Sequence, residues 1–207
     1  MKVLLVNGSP HKNGCTQTAL EEVATQLNQE GIETEFFWLG VKPIMGCVGC
    51  GRCSASKRCW CENDPVNAFL EKVNTTDAFV FGTPIHFASP SGAIKSFMDR
   101  AFCSKLALYA NKPAAAIVSC RRGGAQGGFE DLNRYFTIAN MPVVSSEYWN
   151  EVHGNTADEV KQDMEGMQVM RQLGRNMAWL LHCIEAGRKA GIALPVHEEK
   201  IKTNFIR

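Results

Sequence analysis

Short unbroken apolar runs alternate along this chain with longer stretches in which apolar residues recur at helical spacing, the pattern of strands buried on both faces and joined by helices. The first run, residues 3–6, stops at the turn formers Asn7, Gly8, Ser9 and Pro10. Ala19, Leu20, Val23, Ala24 and Leu27 then share one helical face, with Thr18 and Glu21 spaced as a capping box, a start two or three residues earlier as the alternative, and Gly31 as terminator. Residues 34–39 supply a second run. The Cys/Gly segment 40–63 that follows is long for a connection in a compact domain and is therefore expected to be functional. Asp64 and Pro65 open the next helix. Residues 78–81 form a third strand, and Ile94, Phe97, Met98 and Ala101 give the next helix its buried face. Residues 114–118 are the fourth strand, leading into 119–128, too rich in glycine for strand or helix. Leu132, Tyr135, Phe136 and Ala139 mark another helix, and 141–144 begins a fifth strand. Residues 156–190 read as one long helix striped by Val160, Met164, Met167, Met170 and Met177, and the tail from Gly191 reads as irregular.

Five strands separated by helices predict an α/β fold, a doubly wound parallel sheet of order 2-1-3-4-5 with a Cys-rich insertion after strand two. No internal repeat of fixed period is present, which excludes a solenoid. In such sheets ligands bind beyond the carboxyl ends of the strands. The compositionally unusual loops 7–18, 82–91 and 119–128 follow strands one, three and four, so all three are expected at one edge.

The length of 207 residues fits a single domain, 1–207, carrying the insertion 40–63. Apolar residues at 45% and charged residues at 21% exclude general disorder. A net charge of +1 provides no broad positive field for nucleic acid or an acidic membrane surface. The N-terminal apolar run is too short for a signal peptide, and no later run approaches about 18 apolar residues, so a cytoplasmic protein is expected. Nine cysteines are present. Cys47, Cys50, Cys53, Cys59 and Cys61 crowd one short segment, which in a reducing compartment reads as metal-binding or redox-active.

The segment 7–18 sets small residues, hydroxyls and backbone N–H groups between a strand and a helix N-terminus, where an anion is favoured. An ordinary Gly/Ser turn before a capped helix has the same composition. The spacing is not that of a P-loop, because five residues separate Gly8 from Gly14 and no lysine precedes Thr16. Gly-x-Gly-x-x-Gly is absent too, which argues against a dinucleotide bound there.

Gly8, Ser9, Pro10, Gly14 and Thr16 match the first loop of the flavodoxin-like NAD(P)H-dependent FMN reductases, a family that includes the iron–sulfur flavoproteins and that this chain resembles over nearly its whole length. His11 and Cys15 depart from the family's arginine and asparagine. Pro84, Phe87, Lys95, Asp99 and Arg100 resemble its second loop and the helix after it, with His86 where a tyrosine is common. The segment from Ser119 to Gly124 resembles its glycine-rich third loop. The resemblance implies a flavodoxin-like fold and an oxidoreductase that takes hydride from NAD(P)H onto FMN and passes electrons to a quinone, nitro or azo compound, a flavin or a protein carrier. It implies that Ser9, His11, Gly14, Cys15, Thr16, Gln17 and Thr18 surround the FMN phosphate. Pro84, Ile85, His86 and Phe87 would line the ring. Ser119, Arg121, Arg122, Gly123 and Gly124 would meet the pyrimidine edge, where a cation stabilises the charge of the reduced flavin. No side chain need act as acid or base. The family also implies a homodimer or dimer of dimers, for which the long amphipathic helix offers a surface.

Cys47, Cys50 and Cys53 at two-residue gaps, followed by Cys59, suit the corners of a [4Fe–4S] cluster, with Cys61 as the alternative fourth ligand. Zinc more often takes two separated pairs, and free or reversibly oxidised thiols fit the spacing equally well. With a cluster, the protein reads as an iron–sulfur flavoprotein acting as an electron carrier. The competing class is a cysteine-rich redox sensor or metal-stabilised scaffold without catalysis.

Overall fold

In the computed structural model, which describes residues 1–196, 198, 199, 201 and 203, the apolar runs become strands of one sheet. These are β1 (Lys2–Asn7), β2 (Glu33–Trp38), β3 (Ala78–His86), the two-residue β4 (Ser89–Pro90), β5 (Ala114–Cys120) and β6 (Glu151–His153). The order is β2-β1-β3-β5-β6, all parallel, with β4 folded back antiparallel onto the end of β3. Counted along the chain, the five parallel strands run 2-1-3-4-5 as expected, the flavodoxin-like arrangement.

Side chains alternate across the strands and so feed two cores. Val3, Leu5, Val80, Ala115 and Ile117 pack with α1 (Cys15–Gln29), α6 (Ala157–Gln162) and α7 (Met164–Lys189). Leu4, Val6, Phe79, Phe81 and Ala116 pack with α3 (Val66–Val73), α4 (Gly92–Lys105) and α5 (Ala125–Ile138). The second core is aromatic: the Phe69 and Phe97 rings meet edge-on at 5.0 Å, and Phe102 stacks on Tyr109 at 4.3 Å. The insertion contributes a single helical turn, α2 (Cys53–Ser56). Among the described residues no helix is long and apolar enough to cross a membrane.

Four expectations need correction. Residues 141–144 do not form the fifth strand; Val143 makes an isolated bridge to Ala114, and pairing resumes only at Glu151–His153. Asn150 spans the gap, its Nδ2 donating to Ala116 O at 3.1 Å and its carbonyl accepting from Val118 N. The helix over 156–190 is two helices, broken at Asp163 (ψ 83°). This carboxylate accepts from Gly166 N at the start of α7 and from His153 N of β6, and a residue held to the sheet edge cannot continue the helix. The glycine-rich stretch is shorter than expected, since β5 runs to Cys120 and α5 begins at Ala125. The capping box is not formed: α1 takes the earlier start, at Cys15, without a side-chain cap, and Thr18 Oγ1 donates to Gly14 O instead. Residues 192–196 of the tail lack regular structure, and His197, Lys200, Lys202 and 204–207 lie outside the described residues.

Helix α7 crosses α1 at Gly174, where an added Cβ would sit 2.7 Å from Gln26 Cβ and 2.9 Å from Val23 O. Gly174→Leu is therefore expected to cost about 1–3 kcal/mol by overpacking. Urea unfolding would measure it, and an unchanged midpoint would contradict this crossing.

Candidate active site

The carboxyl ends of β1, β3 and β5 are tied to one another by direct hydrogen bonds. Gly8 N donates to Gly82 O at 2.8 Å, joining the first loop to β3. Ser91, the N-cap of α4, donates its hydroxyl to Gly8 O at 2.9 Å and accepts from Ile94 N. Thr16 Oγ1 and Ser119 Oγ lie 2.8 Å apart, joining the start of α1 to β5. On the far side, a Cβ on Gly128 would fall 2.4 Å from Ile85, so α5 presses directly on the β3–β4 hairpin. The three loops singled out in the sequence thus make one continuous rim.

Within that rim the backbone N–H groups of Cys15, Thr16 and Gln17 have no hydrogen-bond acceptor among the described residues, and no side chain caps α1. Unpaired donors at a helix N-terminus suit a phosphate. The Ser9 hydroxyl accepts from His11 N at 3.1 Å and keeps its own proton to donate, while Trp38 Nε1 fixes Ser9 O at 2.8 Å. The other side chains of this loop have local work. Gln17 bridges Asn7 and Glu21, Thr18 returns to Gly14, and Cys15 Sγ faces Gly154 O at 3.5 Å. Burial pushes the Cys15 thiol up from its ordinary pKa, so it stays neutral. His11 is exposed.

Pro84 and Ile85 are half-buried at the end of β3, and His86 and Phe87 are exposed beyond them. Phe87 is fully exposed and has a φ of 62°, a left-handed conformation that costs a bulky residue energy and is retained where the surroundings impose it. Ser119 is buried beside Thr16. Arg121, Arg122, Gly123 and Gly124 are exposed, and neither arginine is ion-paired among the described residues. Gly124 has a φ of 88° at the N-cap of α5, a position that suits glycine. Unpartnered N–H donors, an uncovered aromatic ring and two free guanidinium groups on one rim fit the phosphate, ring and pyrimidine edge of FMN. Cys120 lies beneath this loop, 3.4 Å from His153 Nδ1, and burial together with the nearby Glu151 carboxylate pushes its thiol up. Sequence reasoning did not single it out.

The cysteines of the insertion surround a second site. Cys47, Cys50, Cys53 and Cys59 line one open hollow of about 360 Å³, solvent included, together with Met45, Trp60, Arg100 and Cys103. Left-handed glycines on either side of Cys50, Gly49 (φ 64°) and Gly51 (φ 70°), turn the chain around it. Among the described residues no three His, Cys, Asp or Glu side chains close on a point as a single ion requires. The thiols ring a space instead, and a soft sulfur donor set of this kind suits an iron–sulfur cluster. Cys61 turns away from the ring, its Sγ 3.6 Å from Asp64 Oδ2. Cys103 is a thiol the sequence reading missed. Burial and the neighbouring Cys47 and Cys53 raise its pKa, and Cys53 Sγ approaches its carbonyl at 3.8 Å. Its only signal in the sequence was its place on α4, three residues after Arg100.

The model of the NADPH-dependent FMN reductase family matches residues 1–156. The chain is similar to an iron–sulfur flavoprotein of Methanocaldococcus jannaschii, 29% identical over 193 residues that span 89% of this chain and 100% of that protein. It is similar to an NADPH azoreductase of a Bacillus species, 28% identical over 133 residues, 64% of this chain and 65% of the azoreductase. The solved NAD(P)H:quinone oxidoreductase from Methanothermobacter marburgensis shares the fold, with a TM-score of 0.62 at 16% identity over 86% of this chain and 96% of that one.

Proposed function

Since the chain belongs to the NADPH-dependent FMN reductase family, we propose that it is an oxidoreductase that takes hydride from NAD(P)H at the β1–β3–β5 rim and delivers electrons singly through the cysteine hollow. FMN, when bound, supplies hydride acceptance and release of one or two electrons, and a [4Fe–4S] group supplies one-electron transfer. The N–H groups of Cys15, Thr16 and Gln17 and the Ser9 hydroxyl bind the phosphate. The β3–β4 hairpin, from Pro84 to Phe87, orients the ring and excludes water from one face. Arg121 and Arg122 hold positive charge at the pyrimidine edge. Cys47, Cys50, Cys53 and Cys59 hold the cluster. The observation that carries this reading is the set of hydrogen bonds joining the three loops, above all Thr16 to Ser119. An iron–sulfur partner at the neighbouring hollow favours a one-electron carrier, protein or small molecule, as the final acceptor. The exposed Trp179 of α7 offers an anchor for a second copy of the chain.

Protein purified under nitrogen tests the proposal. About one FMN per chain is expected on denaturation, with about four irons and bleaching of both chromophores by NADPH or NADH. A chain that neither retains nor rebinds FMN would end the oxidoreductase reading, and one that binds FMN but takes up no iron after reconstitution would remove the cluster alone.

A further inference from the structure

We propose that Arg100 raises the reduction potential of the cluster by hydrogen-bonding the sulfur of Cys59, an inference that rests on the cluster reading above. Cys47 and Cys50 are exposed and Cys53 half-buried on irregular or single-turn backbone, whereas Cys59 is buried and fixed from two directions. Asn67 holds its backbone, accepting from Cys59 N at 2.9 Å and donating to Cys59 O at 2.9 Å. Arg100 holds its sulfur, with Nε and Nη2 each 3.2 Å from Sγ.

Every guanidinium N–H has an acceptor: Nε and Nη2 serve the sulfur, Nη2 also serves Cys61 O, and Nη1 serves Met45 O and Asp64 Oδ2. The Arg100 and Asp64 side chains are 2% and 4% exposed, so water screens this grip little. A positive group donating two N–H bonds to a ligating sulfur withdraws electron density and favours the reduced cluster, which carries one more negative charge. Reduction here adds one electron, breaks no bond and moves no proton, because arginine stays protonated throughout. Lysine at the same place keeps the charge but loses the planar fork, and cannot serve sulfur and Asp64 with the same geometry.

The test uses the full chain reconstituted anaerobically with iron and sulfide, reduced by dithionite through mediator dyes and followed by electron paramagnetic resonance. Arg100→Lys is expected to take up iron as the unaltered protein does, with a reduction equilibrium about tenfold less favourable, which is about 59 mV for one electron. Equal potentials would overturn the inference and leave the cluster reading standing; an unaltered protein that takes up no iron would overturn both. In case the variant does not fold, the unaltered protein labelled with ¹⁵N-arginine decides. Its reduced state is expected to show a nitrogen coupling in pulsed spectra that persists in Arg52→Gln, and absence of that coupling overturns the inference.

Discussion

Asp64→Ala is expected to lose about 3–5 kcal/mol of folding stability, because it strands the Arg100 charge in the interior. The pair is almost wholly buried, and what remains around the guanidinium is one sulfur and two carbonyls. The variant also loses the carboxylate that accepts from Val66 N at the start of α3. Against a typical domain stability of about 5–15 kcal/mol this is a large fraction. The exposed pair Arg58–Glu71, with side chains 47% and 67% accessible, makes the contrast: Glu71→Ala should change stability by at most about 1 kcal/mol. Urea unfolding at neutral pH separates the two cases, and equal midpoints for Asp64→Ala and the unaltered chain would refute the buried-pair argument. Replacing both partners with apolar residues, Arg100→Met with Asp64→Leu, is expected to recover most of the loss.

Gly8→Val should weaken FMN binding at least about 100-fold, near 2.7 kcal/mol. At Gly8 the first loop passes so close to α4 and β3 that a Cβ would lie 2.7 Å from Ile94 Cδ1, 2.9 Å from Ile94 Cβ and 3.0 Å from Gly82 O. Backbone and a branched core residue cannot yield as the end of a flexible side chain does. The loop must lift, breaking the bonds from Gly8 N to Gly82 O and from Ser91 Oγ to Gly8 O, and carrying the proposed phosphate donors out of register. Gly92→Ala, where an added Cβ meets nothing within 4 Å, is the matched control and should bind FMN nearly as the unaltered chain does. Titration of FMN fluorescence measures both, and equal affinities for Gly8→Val and Gly92→Ala would show that the loop is not held as described.

What could be read in the sequence was what local chemistry decides. The runs that became β1, β3 and β5 are apolar because both faces of the sheet are covered there, and three loops with abnormal composition marked the rim. The edge was illegible. Residues 141–144 are apolar and β-prone yet make one bridge, while β6 is Glu-Val-His, three residues whose pairing with Val118–Cys120 depends on Asn150 and Asp163. The helix break at Asp163 was hidden for the same reason, since one oxygen of that carboxylate is taken by His153 N of β6. Around the cysteines, spacing pointed to the insertion but not to its environment. Arg100 and Cys103 come from a helix some 40 residues downstream of Cys59 and Cys61, and no local pattern couples them to a thiol.

Helix α4 has a consequence for electron traffic. Its N-cap, Ser91, grips the first loop at Gly8 and its third turn carries Arg100, nine residues on, which at about 1.5 Å of rise per residue is about 14 Å. One stiff rod would therefore set the gap between the two prosthetic groups proposed above. With that gap written into a helix rather than a hinge, the speed of the internal hop would follow driving force and span, and solvent viscosity would leave it untouched.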